Sequence, residues 1–137
     1  MFIFFYTIFK SIMKEYLYVL KNYTNFSGRS RRKEYWTYVL VYSLILLFAA
    51  VLDNIFGLTF EILETDSGYG WIYFSTALLH FLPSLAVLIR RLHDVGKSGW
   101  FYFIIIIPII GFIWVLVLLT KKGDVGLNLY GPDPKFK

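Results

Sequence analysis

The sequence predicts an all-α membrane protein with three transmembrane helices, at about residues 35–52, 71–95 and 99–120. An interfacial amphipathic helix precedes them and an irregular tail follows. The 137 residues are 58% hydrophobic and 21% aromatic, whereas soluble domains are about 45–50% apolar. Each predicted helix also contains a run of at least 18 residues without Lys, Arg, Asp or Glu. That length is close to the roughly 20 apolar residues that a spanning helix needs.

The start of the chain predicts a helix that lies in the membrane interface. Residues 1–9 are apolar and aromatic, but this run is shorter than the roughly 20 residues needed to span a bilayer. Lys10, Lys14 and Lys21 follow, and we expect them to point toward lipid headgroups. This pattern is typical of an amphipathic interfacial helix. The only other methionine is Met13. We therefore interpret residues 1–12 as an N-terminal extension, or alternatively as a frayed terminus, of one membrane domain, 13–137.

A basic motif precedes the first span. It reads Phe-Ser-Gly-Arg-Ser-Arg-Arg-Lys-Glu-Tyr-Trp at residues 26–36, and we call it the N-terminal motif. Cations in a first helical turn are disfavoured by a few tenths of a kcal/mol each, whereas an anionic membrane surface stabilises each by about 1 kcal/mol. The candidate lipid or partner contacts here are Arg29, Arg31, Arg32 and Glu34. Tyr35 and Trp36 are predicted interfacial anchors.

Residues 53–70 predict a solvated acidic loop between the first two spans. The loop carries Asp53, Glu61, Glu64 and Asp66 and no basic residue. The spacing of these carboxylates fits no calcium-binding loop. We therefore predict no metal site.

The second span begins at a predicted interfacial anchor, Trp71, and carries His80 near its middle. An ionisable side chain at that depth is a functional-site hypothesis by default. The alternative is a neutral His80 bonded to a neighbouring helix, or to the carbonyl that Pro83 leaves without its helical donor. We favour the neutral histidine because no acidic or basic partner lies within a span.

A second charged motif, residues 90–100, separates the second and third apolar runs. This central motif reads Arg-Arg-Leu-His-Asp-Val-Gly-Lys-Ser-Gly-Trp, and it predicts a short turn between antiparallel helices. Its candidate contact residues are Arg90, Arg91, His93, Asp94 and Lys97, and Trp100 is its interfacial anchor. Unpaired charges near a low-dielectric boundary are costly. We therefore predict one ion-pair network with the N-terminal motif, linking Glu34 to Arg90 or Arg91 and Asp94 to an N-terminal arginine. The alternative is that each cation meets lipid phosphate separately.

The third apolar run contains Pro108 and Gly111, so the predicted helix is either kinked or re-entrant. Seven Lys or Arg precede the first span, none lies between the first two, three lie in the central motif and four in the tail, which accounts for all 14. The positive-inside rule therefore predicts a cytoplasmic N-terminus. With three crossings the four tail cations fall outside, which only a re-entrant third segment would avoid.

A third motif in the tail, Gly-Leu-Asn-Leu-Tyr-Gly-Pro-Asp-Pro at residues 126–134, completes a set. Together with the N-terminal and central motifs, in this order, it resembles the YhaH-like family of small bacterial inner-membrane proteins, built on domain of unknown function 805. The resemblance implies an inner-membrane location and a three-span, multi-pass architecture. It implies no activity.

The function predicted from these features is non-enzymatic: a helical module that binds anionic lipid or a partner protein through cytoplasmic basic motifs. The net charge is +5, but the cations cluster beside apolar spans, which favours anionic lipid over nucleic acid. The alternatives are an oligomeric transporter or channel subunit and, third, an enzyme acting on lipid or phosphate through His93 and Asp94. The chain has no cysteine and no recognisable phosphate loop or zinc motif. No catalytic residue or cofactor is therefore predicted, and a homo-oligomer is left open.

Overall fold

The structure, a computed structural model, describes residues 1–62 and 65–136, so Glu64 of the predicted acidic loop lies outside the described residues. The α-helices are α1 (Phe2–Lys21), α2 (Arg32–Phe56), α3 (Trp71–Asp94) and α4 (Ile110–Thr120). The strands are β1 (Thr59–Ile62) and β2 (Thr65–Gly70), and 3₁₀ helices cover Gly99–Ile106 and Pro134–Phe136.

Two helices, α2 and α3, are long and apolar enough to cross a membrane, with mean hydropathies of 2.3 and 1.8. Only 17% of the residues in the most apolar window of each helix are buried. A core helix of a soluble protein would be mostly buried, but here large side chains such as Leu47 and Leu79 point outward. Helices α2 and α3 match the first two predicted spans to within a few residues.

Two small apolar clusters hold the helices together. One joins α1 to α2 and α3, and its buried members are Tyr16, Val19, Tyr38 and Val87. The other joins the end of α3 to α4, and its buried members are Leu92, Val95, Val115, Leu118 and Leu119. The first turns of α1 make no such contact: Phe2 is 93% exposed. The aromatic start of α1 is therefore available to its surroundings, as an interfacial helix requires.

The predictions of an all-α fold and of a solvated loop over residues 53–70 need correction, because β1 and β2 form an antiparallel pair there. The strand β1 is rich in residues that favour strands, with Thr59, Phe60 and Ile62. Asp53 is also fully buried and belongs to the last turn of α2. Its carboxylate accepts the backbone N–H groups of Gly70, Ile72 and Tyr73 at 2.8–3.0 Å. Asp53 thus caps the start of α3.

The prediction of a single helix over residues 99–120 is wrong, because the helix is broken at residues 107–109. Pro108 has no backbone N–H, and Ile109 has a φ of 64°. Beyond the break, a Cβ on Gly111 would lie 1.9 Å from the carbonyl oxygen of Ile104, so the two arms approach closely. The 3₁₀ arm and α4 are each about 16 Å long at about 2.0 and 1.5 Å per residue.

Both ends of this broken segment lie at the C-terminal end of α3. The 3₁₀ arm starts five residues after Asp94. At the other end, Arg91 Nε donates to the carbonyl of Leu119 at 3.1 Å, and the backbone N–H of Asp124 donates to the carbonyl of Asp94 at 2.8 Å. The segment therefore folds back toward the end of α3. We call residues 99–120 the apolar hairpin.

Candidate functional site

Five charged side chains from the N-terminal and central motifs lie together and out of contact with solvent. We call them the buried charge network: Arg29, Glu34, Arg90, Arg91 and Asp94, each between 0% and 5% exposed. They meet where α2 begins, α3 ends and the apolar hairpin returns. Buried charges of this kind are costly unless they are paired and hydrogen-bonded. Their pairing therefore decides what the site can do.

Asp94 is the centre of the network. Its Oδ1 accepts from Arg29 Nε at 3.0 Å, and its Oδ2 accepts from Nη1 of Arg91. The carboxylate is packed directly against Gly123, where a Cβ would lie 2.0 Å from Oδ2. One carboxylate thus joins the loop before α2, the end of α3 and the start of the tail.

Arg90 carries the second link. Its Nη2 lies 3.4 Å from Glu34 Oε1, and its Nη1 donates to the carbonyls of Asn22 and Asn25 at 2.9 and 2.6 Å. Arg91, the other partner that the sequence allowed for Glu34, pairs with Asp94 instead. The structure therefore brings the two motifs together through Arg29–Asp94 and Glu34–Arg90.

Backbone carbonyls supply the remaining acceptors for the three guanidiniums. Arg29 donates to the carbonyls of Gly126 at 2.6 Å, Gly131 at 3.2 Å and Asp124. Arg91 donates to the carbonyls of Leu119, at 3.1 Å, and Lys121. Charge-assisted bonds of this kind are stronger than neutral ones. These arginines are therefore directed at the protein's own backbone.

The tail is also held through His93. Its Nδ1 donates to the carbonyl of Gly28 at 3.1 Å, because a carbonyl oxygen can only accept. The ring stacks on Tyr130 with centroids 3.8 Å apart, and Asn128 Nδ2 donates to the His93 carbonyl at 2.9 Å. All three motifs therefore converge here. His93 and Asp94 face different partners, so the geometry does not assemble them into an acid–base pair.

The other predicted cations lie on the outside of the network. Arg31 and Lys33 are within 4.0 and 3.5 Å of Glu15 on α1. Exposed Arg32 donates to the carbonyl of Thr120 at 3.2 Å, which brings it to the end of α4. The ammonium of exposed Lys97 lies 5.3 Å from the centre of the Phe101 ring.

His80 is bonded to its neighbours in the core between α1, α2 and α3. Its Nδ1 donates to the carbonyl of Thr76 at 2.9 Å, and its Nε2 is hydrogen-bonded to the Tyr16 hydroxyl at 2.8 Å. The ring stacks on Tyr42 at 4.7 Å. Burial raises the pKa of the Tyr16 hydroxyl, which keeps it a donor. His80 is therefore hydrogen-bonded to a neighbouring helix, α1, as the second interpretation expects.

The predicted anchors occupy different environments. Tyr35 is half-buried and packs against both apolar clusters. Trp36 is exposed but donates its Nε1 to the Leu119 carbonyl at 3.3 Å. Trp71 packs edge-to-face on Phe60, and Trp100 stacks on Phe103. Trp71 and Trp100 are largely open to their surroundings, as interfacial side chains are, whereas Trp36 is 37% exposed.

Several residues of the site escaped the sequence argument. Glu15 and Tyr16 lie outside the three motifs. Asn128 lies within the tail motif, but its residue type alone did not indicate a role. Asp133 is buried in the tail, where the Lys135 backbone N–H holds the pKa of its carboxyl below the usual value. Among residues 1–62 and 65–136, no group of three or more metal-ligating side chains comes together.

Comparisons with known proteins agree with the resemblance. Residues 23–132 match the family model described as protein of unknown function (DUF805). The chain is 40% identical over 125 residues to "Inner membrane protein YhaH" of Escherichia coli (strain K12), covering 91% of this chain and 99% of that protein. It is 43% identical over 124 residues to "Inner membrane protein YhaI" of the same strain, covering 90% and 98%. No solved structure matches significantly. The family prediction is confirmed: the chain belongs to the DUF805 family and is an integral membrane protein of the bacterial inner membrane.

Proposed function

We propose that this protein is a non-enzymatic inner-membrane module whose cytoplasmic face binds anionic phospholipid headgroups. The observation that carries the proposal is the division of its cations into two sets. Arg29, Arg90 and Arg91 are occupied inside the buried charge network. In the part of the chain that the structure describes, exposed Arg32, Lys97, Lys121 and Lys122, like the α1 lysines, have no carboxylate within salt-bridge distance.

The exposed set is suited to headgroups because it is concentrated beside aromatic surface. Arg32 reaches the Thr120 carbonyl at 3.2 Å, next to Lys121 and Lys122 in the chain, and Trp36 lies alongside. Each basic residue near an anionic surface contributes about 1 kcal/mol. Three adjacent cations without a carboxylate therefore favour a phosphate-bearing headgroup at the junction of α2 and α4.

The topology that we propose has a cytoplasmic N-terminus, two crossings by α2 and α3, and an apolar hairpin that enters and leaves on the cytoplasmic side. The positive-inside rule supports it. With a returning hairpin, all 14 cations fall on one side, whereas a third crossing would divide them ten to four. The length of the hairpin arms, about half of a roughly 30 Å hydrocarbon core, agrees with this topology.

Single cysteines in this cysteine-free chain test the topology with an impermeant thiol reagent on spheroplasts. We expect Tyr69→Cys, in β2, to be labelled directly. Ser27→Cys and Leu129→Cys should be labelled only after permeabilisation. Direct labelling of Leu129→Cys would mean that the third segment crosses, and direct labelling of Ser27→Cys would reverse the orientation.

Native mass spectrometry with phosphatidylglycerol and phosphatidylcholine tests the headgroup site. In the variant Arg32→Gln, Lys121→Gln, Lys122→Gln, we expect the preference for phosphatidylglycerol to fall by at least about tenfold. The matched control, Arg32→Lys with Lys121→Arg and Lys122→Arg, keeps every charge and should keep the preference. An unchanged preference in the glutamine variant would refute lipid binding at these cations and would favour a protein partner.

A further inference from the structure

A long apolar groove runs between α3 and the 3₁₀ arm of the apolar hairpin. Its volume is about 620 Å³, within the range of about 300–1,000 Å³ usual for ligand sites. On α3 it extends from Phe81 to His93, which is about 18 Å at about 1.5 Å per residue. Half of a bilayer core is about 15 Å thick. The groove therefore has the length of one leaflet.

The walls of the groove are apolar for most of this length. Phe81, Leu85 and Leu88 form the α3 side, and Trp100 and Phe103 form the side of the 3₁₀ arm. Phe81 and Trp100 are both exposed, so the groove opens sideways into the hydrocarbon. In an integral membrane protein, the molecules that face such an opening are lipid acyl chains.

Apart from Tyr102, the polar side chains that line the groove lie at its end beside the central motif. His93 and Ser98 line this end. Exposed Lys97 precedes Ser98 in the chain, and its ammonium lies 5.3 Å from the centre of the Phe101 ring. His93 Nδ1 donates to the carbonyl of Gly28, so Nε2 of the neutral ring can accept a hydrogen bond but cannot donate one. The nearby Asp94 carboxylate is directed to Arg29 and Arg91. This end therefore offers the Ser98 hydroxyl as a donor, with the exposed Lys97 ammonium beside it in the chain.

We propose that this groove binds one acyl chain of a membrane phospholipid, with the lipid phosphate beside the Ser98 hydroxyl and the Lys97 ammonium. The proposal rests on the cytoplasmic orientation proposed above. It uses different residues from the headgroup site at Arg32, Lys121 and Lys122. A lipid held in this way buries its chain against protein along a whole leaflet, so it stays bound when surrounding lipid is removed.

The test uses native mass spectrometry of the full chain, with phosphatidylglycerol and phosphatidylcholine as probes, and blocks the groove after folding. Ser98→Cys places a unique thiol at the polar end of the groove, and a bulky maleimide attached to the purified protein obstructs it. The substitution Ile89→Trp, on the α3 wall, places a larger side chain in the groove and so blocks it without a chemical label. With either block we expect the occupancy of one tightly retained phospholipid to fall about tenfold, for both probes.

Two matched controls should retain that lipid. Ser27→Cys with the same maleimide modifies an exposed serine outside the groove, and Leu79→Trp makes an equally large change on the exposed surface of α3. Retention in both blocked forms, or equal loss in the controls, would overturn the proposal. The Arg32, Lys121 and Lys122 glutamine variant should change the headgroup preference without removing this lipid. The failure of one site is therefore distinguishable from the failure of the other.

Discussion

The substitution Asp94→Asn tests whether the buried charge network holds the fold together. It keeps the size of the side chain but leaves the guanidiniums of Arg29 and Arg91, which are 5% and 0% exposed, without their shared carboxylate. Removing one partner of a buried pair costs about 3–5 kcal/mol. An asparagine oxygen can still accept one bond, so we expect a loss near the lower value, about 3 kcal/mol, in the free energy of unfolding.

The pairing itself is measured by a double-mutant cycle of Asp94→Asn with Arg29→Gln. Because Arg29 Nε lies 3.0 Å from Asp94 Oδ1, the double variant should lose less than the sum of the single losses, by about 1–3 kcal/mol. The assay is unfolding in mixed detergent micelles, followed by tryptophan fluorescence. Additive losses would refute the pairing of Arg29 with Asp94 and leave backbone carbonyls as the partners of Arg29.

A remote cycle controls for general effects of the substitutions. Asp53 caps the start of α3, whereas Asp94 lies at its end, about 35 Å away at about 1.5 Å per residue. Asp94→Asn and Asp53→Asn should therefore be additive to within about 0.5 kcal/mol. A large coupling here would mean that the cycle reports detergent effects rather than contacts.

Two further predictions use the same unfolding assay. Asp53→Ala removes the acceptor of three backbone N–H groups, so we expect a loss of about 1–2 kcal/mol. Glu61→Gln, an exposed change in β1, should cost almost nothing, and equal losses would contradict the capping role. Gly111→Ala would place a Cβ 1.9 Å from the Ile104 carbonyl, so we expect a loss of about 1–3 kcal/mol. Stabilisation, the usual result in an unhindered helix, would contradict the close approach of the hairpin arms.

The parts of the fold that the sequence predicted correctly are those set by local composition. Uncharged runs near bilayer length located α2 and α3, because hydropathy depends on the residues of each segment alone. The contact of Glu34 with Arg90 also followed from an elementary rule, that charges near a low-dielectric boundary seek partners. Sequence alone left Arg91 open as an alternative, since both arginines are one residue apart in the same helical turn.

The parts that the sequence did not predict depend on contacts between distant residues. Asp53 looked like part of an acidic loop, because its three donors lie 17 to 20 residues further along. The return of the apolar hairpin depends on the approach of Gly111 to the Ile104 carbonyl, and an uncharged run gives no measure of such packing. The tail binds Arg29 through carbonyl groups, which every residue possesses and no motif reveals.

The arrangement also explains why buried charges are placed beside apolar segments. In a bilayer, hydrophobicity does not decide whether an apolar segment crosses or returns, because lipid tails are as apolar as the side chains they replace. Whether the segment crosses or returns therefore depends on the interactions of its polar ends. Arg91 binds the carbonyls of Leu119 and Lys121 where the hairpin ends, and Arg29 binds the tail that follows. If residues 99–120 crossed the membrane instead, these bonds would break and both guanidiniums would lose these backbone acceptors. In the proposed topology the buried arginines favour the returning shape, and under the proposed function the exposed cations contact lipid headgroups.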